Sequence, residues 1–214
     1  MKKVLMFLFL IQFVTIYGCA IKDIQEGDRV TKTYEISDFT KLDVSHAFEV
    51  TVRVGDETSL KITAGENIHP DIEVKNKENT LILSIDSFIN NVGNIKAEIT
   101  VKELEGLDAS GACKIYIEGI NTDSFELDMS GACKGELIGE TKKLEVDISG
   151  ASSLDAKDLR AEKVEVDISG ASNAQVYASS SLEAEASGAS SITFYGDPEK
   201  VETDVSGASN IKSK

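Results

Sequence analysis

The sequence predicts an all-β fold, a right-handed parallel β-helix built from coils of about 19–20 residues. The first observation is a repeat. Ser-Gly-Ala occurs six times, at Ser110, Ser130, Ser149, Ser169, Ser187 and Ser206, at intervals of 20, 19, 20, 18 and 19 residues. A near-constant period of this length marks a solenoid, in which each repeat is one coil stacked on the last. The second is the text before each tripeptide. Leu144-Glu145-Val146-Asp147-Ile148 matches Val164-Glu165-Val166-Asp167-Ile168, and Phe125 to Met129 and Val201 to Val205 take the same form. Apolar residues alternating with acids at period two make half-buried strands. Third, after the first residues no segment sustains a helical period, and proline occurs only at Pro70 and Pro198.

Taken from the start, residues 1–18 read as an export signal. Met1-Lys2-Lys3 is charged, and Val4 to Tyr17 is apolar except for Gln12 and Thr15. That run is shorter than the roughly 20 residues needed to span a bilayer. It ends in Ile16-Tyr17-Gly18-Cys19, which resembles a bacterial lipobox, with Cys19 as the acylated first residue of the mature chain. Two or three acyl chains hold a soluble domain on a membrane where one is marginal. Residues 19–29 are polar and form a tether, and Lys22-Asp23 has a faint likeness to surface-export signals. Residues 30–104 read as an irregular first part, with strand-like runs at Phe48 to Val54, Leu60 to Thr63, Leu81 to Ile85 and Ile95 to Val101. Here Lys41-Leu42-Asp43-Val44-Ser45-His46-Ala47 is a worn version of Lys143 to Ala151, two residues shorter, with His46 in the place of glycine. Residues 105–214 hold the regular coils. The whole of 30–214 is expected to be one solenoid, with two abutting domains split near Leu104 as the alternative.

Within a coil the inward row runs through Leu144, Val146 and Ile148. Unbroken alternation through the tripeptide would turn Gly150 and Ser152 inward. A bend at the glycine would favour an inward Ala151, and the need for corners favours the bend. After the last tripeptide come Ser209 and Asn210, then Ile211-Lys212-Ser213-Lys214. The last coil is therefore expected to be open, and weak homo-oligomerisation through it is expected.

The segment Ile36 to Val52, followed by Gly55-Asp56-Glu57, resembles the opening of the auto-transporter adhesin head GIN domain family, as do the repeated Ser-Gly-Ala coils. The resemblance implies a β-helix-like solenoid on an exported protein or lipoprotein of Bacteroidetes and relatives, with an adhesin role and no established catalysis. His46 departs from the family's usual glycine.

Chemistry is concentrated in two acidic columns. Asp108, Asp128, Asp147, Asp167, Glu185 and Asp204 share one coil position, and Glu126, Glu145, Glu165, Glu183 and Glu202 share another. Stacked strands lie about 4.8 Å apart, so neighbouring carboxylates repel by roughly 0.9 kcal/mol in water before screening. The columns are either a solvated face screened by salt and by Lys143, Lys163 and Lys200, or a face that takes up cations. Calcium is the candidate, since it prefers several carboxylate oxygens, though the Asp-rich nonapeptide of calcium solenoids is absent. Cys113 and Cys133 fill the slot taken by Ser152, Ser172, Ser190 and Ser209 elsewhere. They fall one coil apart, close enough for a disulfide but stacked in an unfavourable orientation, so two small buried thiols are the expectation.

His46 and His69 lack partners at zinc-ligand spacing, and no Gly-x-Ser-x-Gly elbow is present. A β-helix lyase wants basic residues beside its acids, and Arg29, Arg53 and Arg160 are scattered. Trp is absent. The net charge of −15 falls by two more when the leader is removed, which disfavours nucleic acid. The expected protein is a non-catalytic outer-membrane lipoprotein, periplasmic or surface-exposed, with an acidic wall for a glycan or protein partner. The alternatives are a carbohydrate-active β-helix lyase or hydrolase and a calcium-dependent scaffold.

Overall fold

A computed structural model describes residues 22–23, 27–85, 89–90 and 93–214. The leader, Cys19 and most of the tether lie outside the described residues. The fold is a β-solenoid, as the repeat predicts. Alternating side chains make each strand half-buried, and stacking turns equal positions into vertical rows. Lys114–Met129, Lys134–Ile148, Ser153–Ile168 and Asn173–Ala186 are long strands that bend around the core. They pair in parallel, with Leu127, Val146, Val166 and Ala184 in one inward row. All four side chains in that row are buried.

Two walls run through the whole molecule. One wall is Ile72–Lys77, Thr80–Ile85, Lys41–Val44 and Gly106–Ala109, then the C-terminal halves of the four long strands, then Lys200–Val205. The other begins at Arg29–Tyr34, passes through Ser59–Gly65, Ile95–Val101 and Phe48–Val54, and continues through the N-terminal halves to Ser191–Tyr195 and Asn210–Ser213. The first part is not simply a set of worn coils. Arg29–Tyr34 and Ile95–Val101 both run antiparallel to Ser59–Gly65, and Ile72–Lys77 runs antiparallel to Thr80–Ile85. The last pair turns tightly through Glu78 and Asn79, both at positive φ. A chain that reverses there needs no long crossover, so this end departs from the coil period.

The corners settle the question of parity. Each glycine of the tripeptide has positive φ, as Gly150 does at 84°. A Cβ there would lie 2.4 Å from the Gly131 carbonyl oxygen, so the stacked corners exclude any side chain. Neighbouring corners are joined by bonds such as Ala151 N–H to Gly131 O at 2.7 Å. The chain does bend at glycine, but Ala151 is exposed and Ser152 is the inward residue. The expectation of an inward alanine is therefore corrected, and hydrogen bonding gives the reason. The Ser152 hydroxyl lies 3.3 Å from the Ser149 carbonyl and 3.4 Å from that of Gly131, groups an alanine methyl would leave without this donor.

The side chain in this slot also accepts a bond from the coil before. Cys133 N–H donates to Ser152 Oγ at 3.2 Å, and Cys113 N–H donates to Cys133 Sγ at 3.4 Å. Both cysteines are free and buried. His46 adopts the glycine conformation, with φ of 77°. It opens the corner column, directly beneath Gly111, whose Cβ would meet the His46 carbonyl at 2.5 Å. Each corner's Cβ points back to the preceding corner, and among the described residues no Ser-Gly-Ala corner lies below His46. A side chain is therefore sterically tolerated there.

Candidate functional site

The wall that ends in Lys200–Val205 carries both acidic columns. Strand register places Asp43, Asp108, Asp128, Asp147, Asp167, Glu185 and Asp204 in one ladder. Likeness to Lys143–Ala151 with two residues fewer leaves the register of Lys41–Val44 open. The structure sets it by pairing Lys41 with Gly106, Leu42 with Leu107 and Asp43 with Asp108. Glu126, Glu145, Glu165, Glu183 and Glu202 form the second ladder. Its lower end is Lys41 followed by Gly106. Because Gly106 has no side chain, Lys41 lies across it and reaches Glu126 at 2.7 Å, two rungs away.

The two ladders differ in how their charge is met. Lysines serve the glutamates: Lys143 reaches Glu145 at 2.7 Å and Glu165 at 3.4 Å, and Lys200 reaches Glu202 at 3.6 Å. Among the described residues no comparable ion pair reaches the aspartate ladder. The carboxyls of Asp43, Asp108, Asp128 and Asp147 are pushed above their ordinary range. For Asp147 partial burial is the larger cause, followed by repulsion from Asp128 and Asp167. Asp108 and Asp128 are raised first by burial and then by repulsion from their neighbours, Asp43 for the one and Asp108 for the other. Asp43 is raised by burial.

Beside this ladder runs a groove of about 470 Å³. Asp43, Asp108, Asp128, Asp147 and Asp167 form one bank. The serines of the corners, Ser110, Ser130, Ser149, Ser169 and Ser187, form the other, over a floor that includes Ala109, Met129 and Ile148. The sequence showed these serines only as corner residues. Their alignment into a bank opposite the acids follows from the stacked walls.

The groove thus offers carboxylates and hydroxyls in a repeating row. Among the described residues no cluster of three or more His, Cys, Asp or Glu side chains is arranged to hold a metal ion. The histidines are not part of the groove's lining. His69 is buried and lies within hydrogen-bond distance of Tyr34 Oη and Val30 O, at 2.9 and 3.0 Å. A second groove, of about 700 Å³, mixes acids with Lys142 and Arg160. Both cations are already engaged, Lys142 with Asp123 at 2.7 Å and Arg160 over the Tyr177 ring at 4.1 Å.

Comparison with known proteins finds the same fold. The family model described as "Putative auto-transporter adhesin, head GIN domain" matches residues 38–198. The chain belongs to the head GIN domain family. A solved structure of a putative adhesin from Bacteroides fragilis is similar, with 25% identity and a TM-score of 0.71, covering 87% of this chain and 97% of that one. A putative adhesin from Parabacteroides merdae shares the fold at 18% identity and a TM-score of 0.61, covering 90% and 99%. A protein from Parabacteroides distasonis described as a putative lipid binding protein also shares it, at 21% identity and a TM-score of 0.56, covering 90% and 100%. Among curated proteins there is no significant match. For this head GIN member the family supports an adhesin or binding role with association to the cell envelope.

Proposed function

We propose that this head GIN protein is a non-catalytic cell-envelope lipoprotein, tethered through Cys19, that binds a cation-bearing glycan or protein partner along the aspartate–serine groove. The observation that carries the reading is the contrast between the ladders. Glu126, Glu145, Glu165 and Glu202 have lysine partners, whereas among the described residues no ion pair reaches the aspartates, of which Asp43, Asp108, Asp128 and Asp147 are held above their ordinary range. A row of like charges at strand spacing is under mutual repulsion. A partner presenting amines or guanidinium groups relieves it, and the serine bank supplies hydroxyls to orient polar groups beside them. The groove's lining contains no basic residue beside its acids, which disfavours lyase chemistry.

The calcium-scaffold alternative has one supporting feature, the stacking of carboxylates at about 4.8 Å. One experiment separates the two. Glycans and extracellular-matrix proteins are screened with the wild-type chain and with an Asp128→Asn, Asp147→Asn, Asp167→Asn variant, in calcium and in chelator. Binding that survives chelator and is lost in the variant supports a direct cationic partner. Binding and thermal stability that both require calcium would replace that reading with the scaffold. Binding unchanged in the variant would remove the groove from the function.

A further inference from the structure

We propose that the last rung of the solenoid, Lys200–Val205 and Asn210–Ser213, is a self-association surface for a second copy of this chain. The proposal is independent of the groove and its partner. Lys200–Val205 pairs on one side with Asn173–Ala186, and Asn210–Ser213 pairs on one side with Ser191–Tyr195. Among the described residues nothing covers their other edges. Val201 and Val205 continue the inward row of Leu182 and Ala186, yet they are 47% and 45% exposed, the large apolar side chains left most open among the described residues. The opposite end differs, since its outermost strands, Arg29–Tyr34 and Ile72–Lys77, are joined to their neighbours antiparallel.

The occupant follows from the charge pattern of the two edges. Lys200–Val205 carries Glu202 and Asp204 on its outer face, above Glu183 and Glu185. On the strand after the corner, Lys212 lies above Thr193 on the outer face, and alternation puts Lys214 there as well. One edge is acidic and the next is basic, and a corner separates them. A two-fold axis through that corner, at Ala208, lays the first edge of one copy antiparallel on the second edge of the other. Val205 then faces Ile211 and Thr203 faces Ser213 on the inner side. Asp204 faces Lys212 and Glu202 faces Lys214 on the outer side. Every pair keeps inner residues with inner and sets opposite charges together, as cross-strand pairing requires. The symmetry repeats each pair, so the contact is isologous and closes at two copies. Glu202 is met at present only by exposed Lys200 at 3.6 Å, and Lys214 lies 5.8 Å from the Tyr195 ring centre, so both are free to re-pair.

The two copies would form one continuous solenoid. Arg29–Tyr34 lies at the far edge of the wall that ends in Asn210–Ser213. The two tethered ends then stand roughly 90 Å apart at strand spacing, facing away from each other. With Cys19 as the anchor, this arrangement suits copies carried on opposing surfaces.

The test is a charge exchange. The full chain, kept in a mild non-ionic detergent, is followed by sedimentation velocity over a range of concentrations. Glu202→Lys with Asp204→Lys makes both edges basic, and Lys212→Glu with Lys214→Glu makes both acidic. The wild type is expected to dimerise, and more weakly at high salt. Each variant alone should associate on the order of a hundredfold more weakly, since four attractions become repulsions. An equal mixture of the two should recover association, because each basic edge then meets an acidic one. Recovery also shows that both variants are folded. A wild type that stays monomeric to its solubility limit overturns the proposal. So does a variant that associates as well as the parent, or a mixture that stays monomeric.

Discussion

Asp147→Asn should stabilise this protein, although it removes a residue of the proposed binding groove. Asp147 has Asp128 on one side and Asp167 on the other. At about 4.8 Å each neighbour contributes roughly 0.9 kcal/mol of repulsion in water, close to 2 kcal/mol for the pair. Salt at physiological strength, with a screening length of about 8 Å, reduces this to about 1 kcal/mol. Asparagine keeps the shape and removes the charge. For a chain of this size the gain corresponds to a rise in Tm of about 2–4 °C at neutral pH. Differential scanning calorimetry measures it. Two controls isolate the cause: the gain should shrink at about 1 M salt, where the screening length is about 3 Å, and it should shrink again near pH 4, where the ladder is already partly protonated. A gain independent of both conditions would show that the ladder's charge is not under strain. A loss of stability at neutral pH and low salt would refute the argument outright.

Three further outcomes follow from the fold. Gly150→Ala should cost on the order of 3 kcal/mol, combining left-handed backbone strain with a Cβ 2.4 Å from the Gly131 carbonyl. Gly55→Ala, whose nearest neighbour would be Thr100 Cγ2 at 3.5 Å, should stay within about 0.5 kcal/mol when both variants are unfolded in urea. At the corner slot, Cys133→Ser should be tolerated within about 1 kcal/mol, since serine fills the slot in later coils. Cys133→Val should cost about 1–3 kcal/mol, because the Ser130 carbonyl, 3.3 Å from the thiol, loses its donor. Thermal stability should also be greatest in mild acid. Aspartates 43, 108, 128 and 147 have folded pKa values above the ordinary 3.8, so the folded state binds their protons more tightly. Stability therefore rises as pH falls through those raised values, and that gain is complete below 3.8. Asp38 and Glu49 have folded values below the ordinary 3.8 and 4.5, held down first by hydrogen bonds to Lys102 and Lys96. Their contribution is present above those ordinary values and is lost as pH falls below them. A pH series of melting temperatures that climbs steadily from pH 4 to 8 would contradict this.

The sequence by itself determined the solenoid, its coil length, and the regular part of both acidic columns. The reason is that these features are periodic: alternation sets which side chains point outward, and a fixed repeat places like residues one above another. Asp128, Asp147 and Asp167 needed only counting. Where the period fails, local spacing no longer carries the register. Asp43 joined the aspartate ladder only through the pairing of Lys41–Val44 with Gly106–Ala109, strands more than sixty residues apart in the chain. Alternation offered an inward Ser152 and a bend at the glycine offered an inward Ala151; carbonyls of this corner and the corner before it decided for Ser152. The partition of lysines was likewise tertiary. Lys41 reaches Glu126 because Gly106 leaves the intervening rung empty, so the glutamate ladder gains a counter-ion there. Composition fixed how many charges this protein carries. Which of them stand without a counter-ion depended on distances between coils, and those exist only once the chain has stacked.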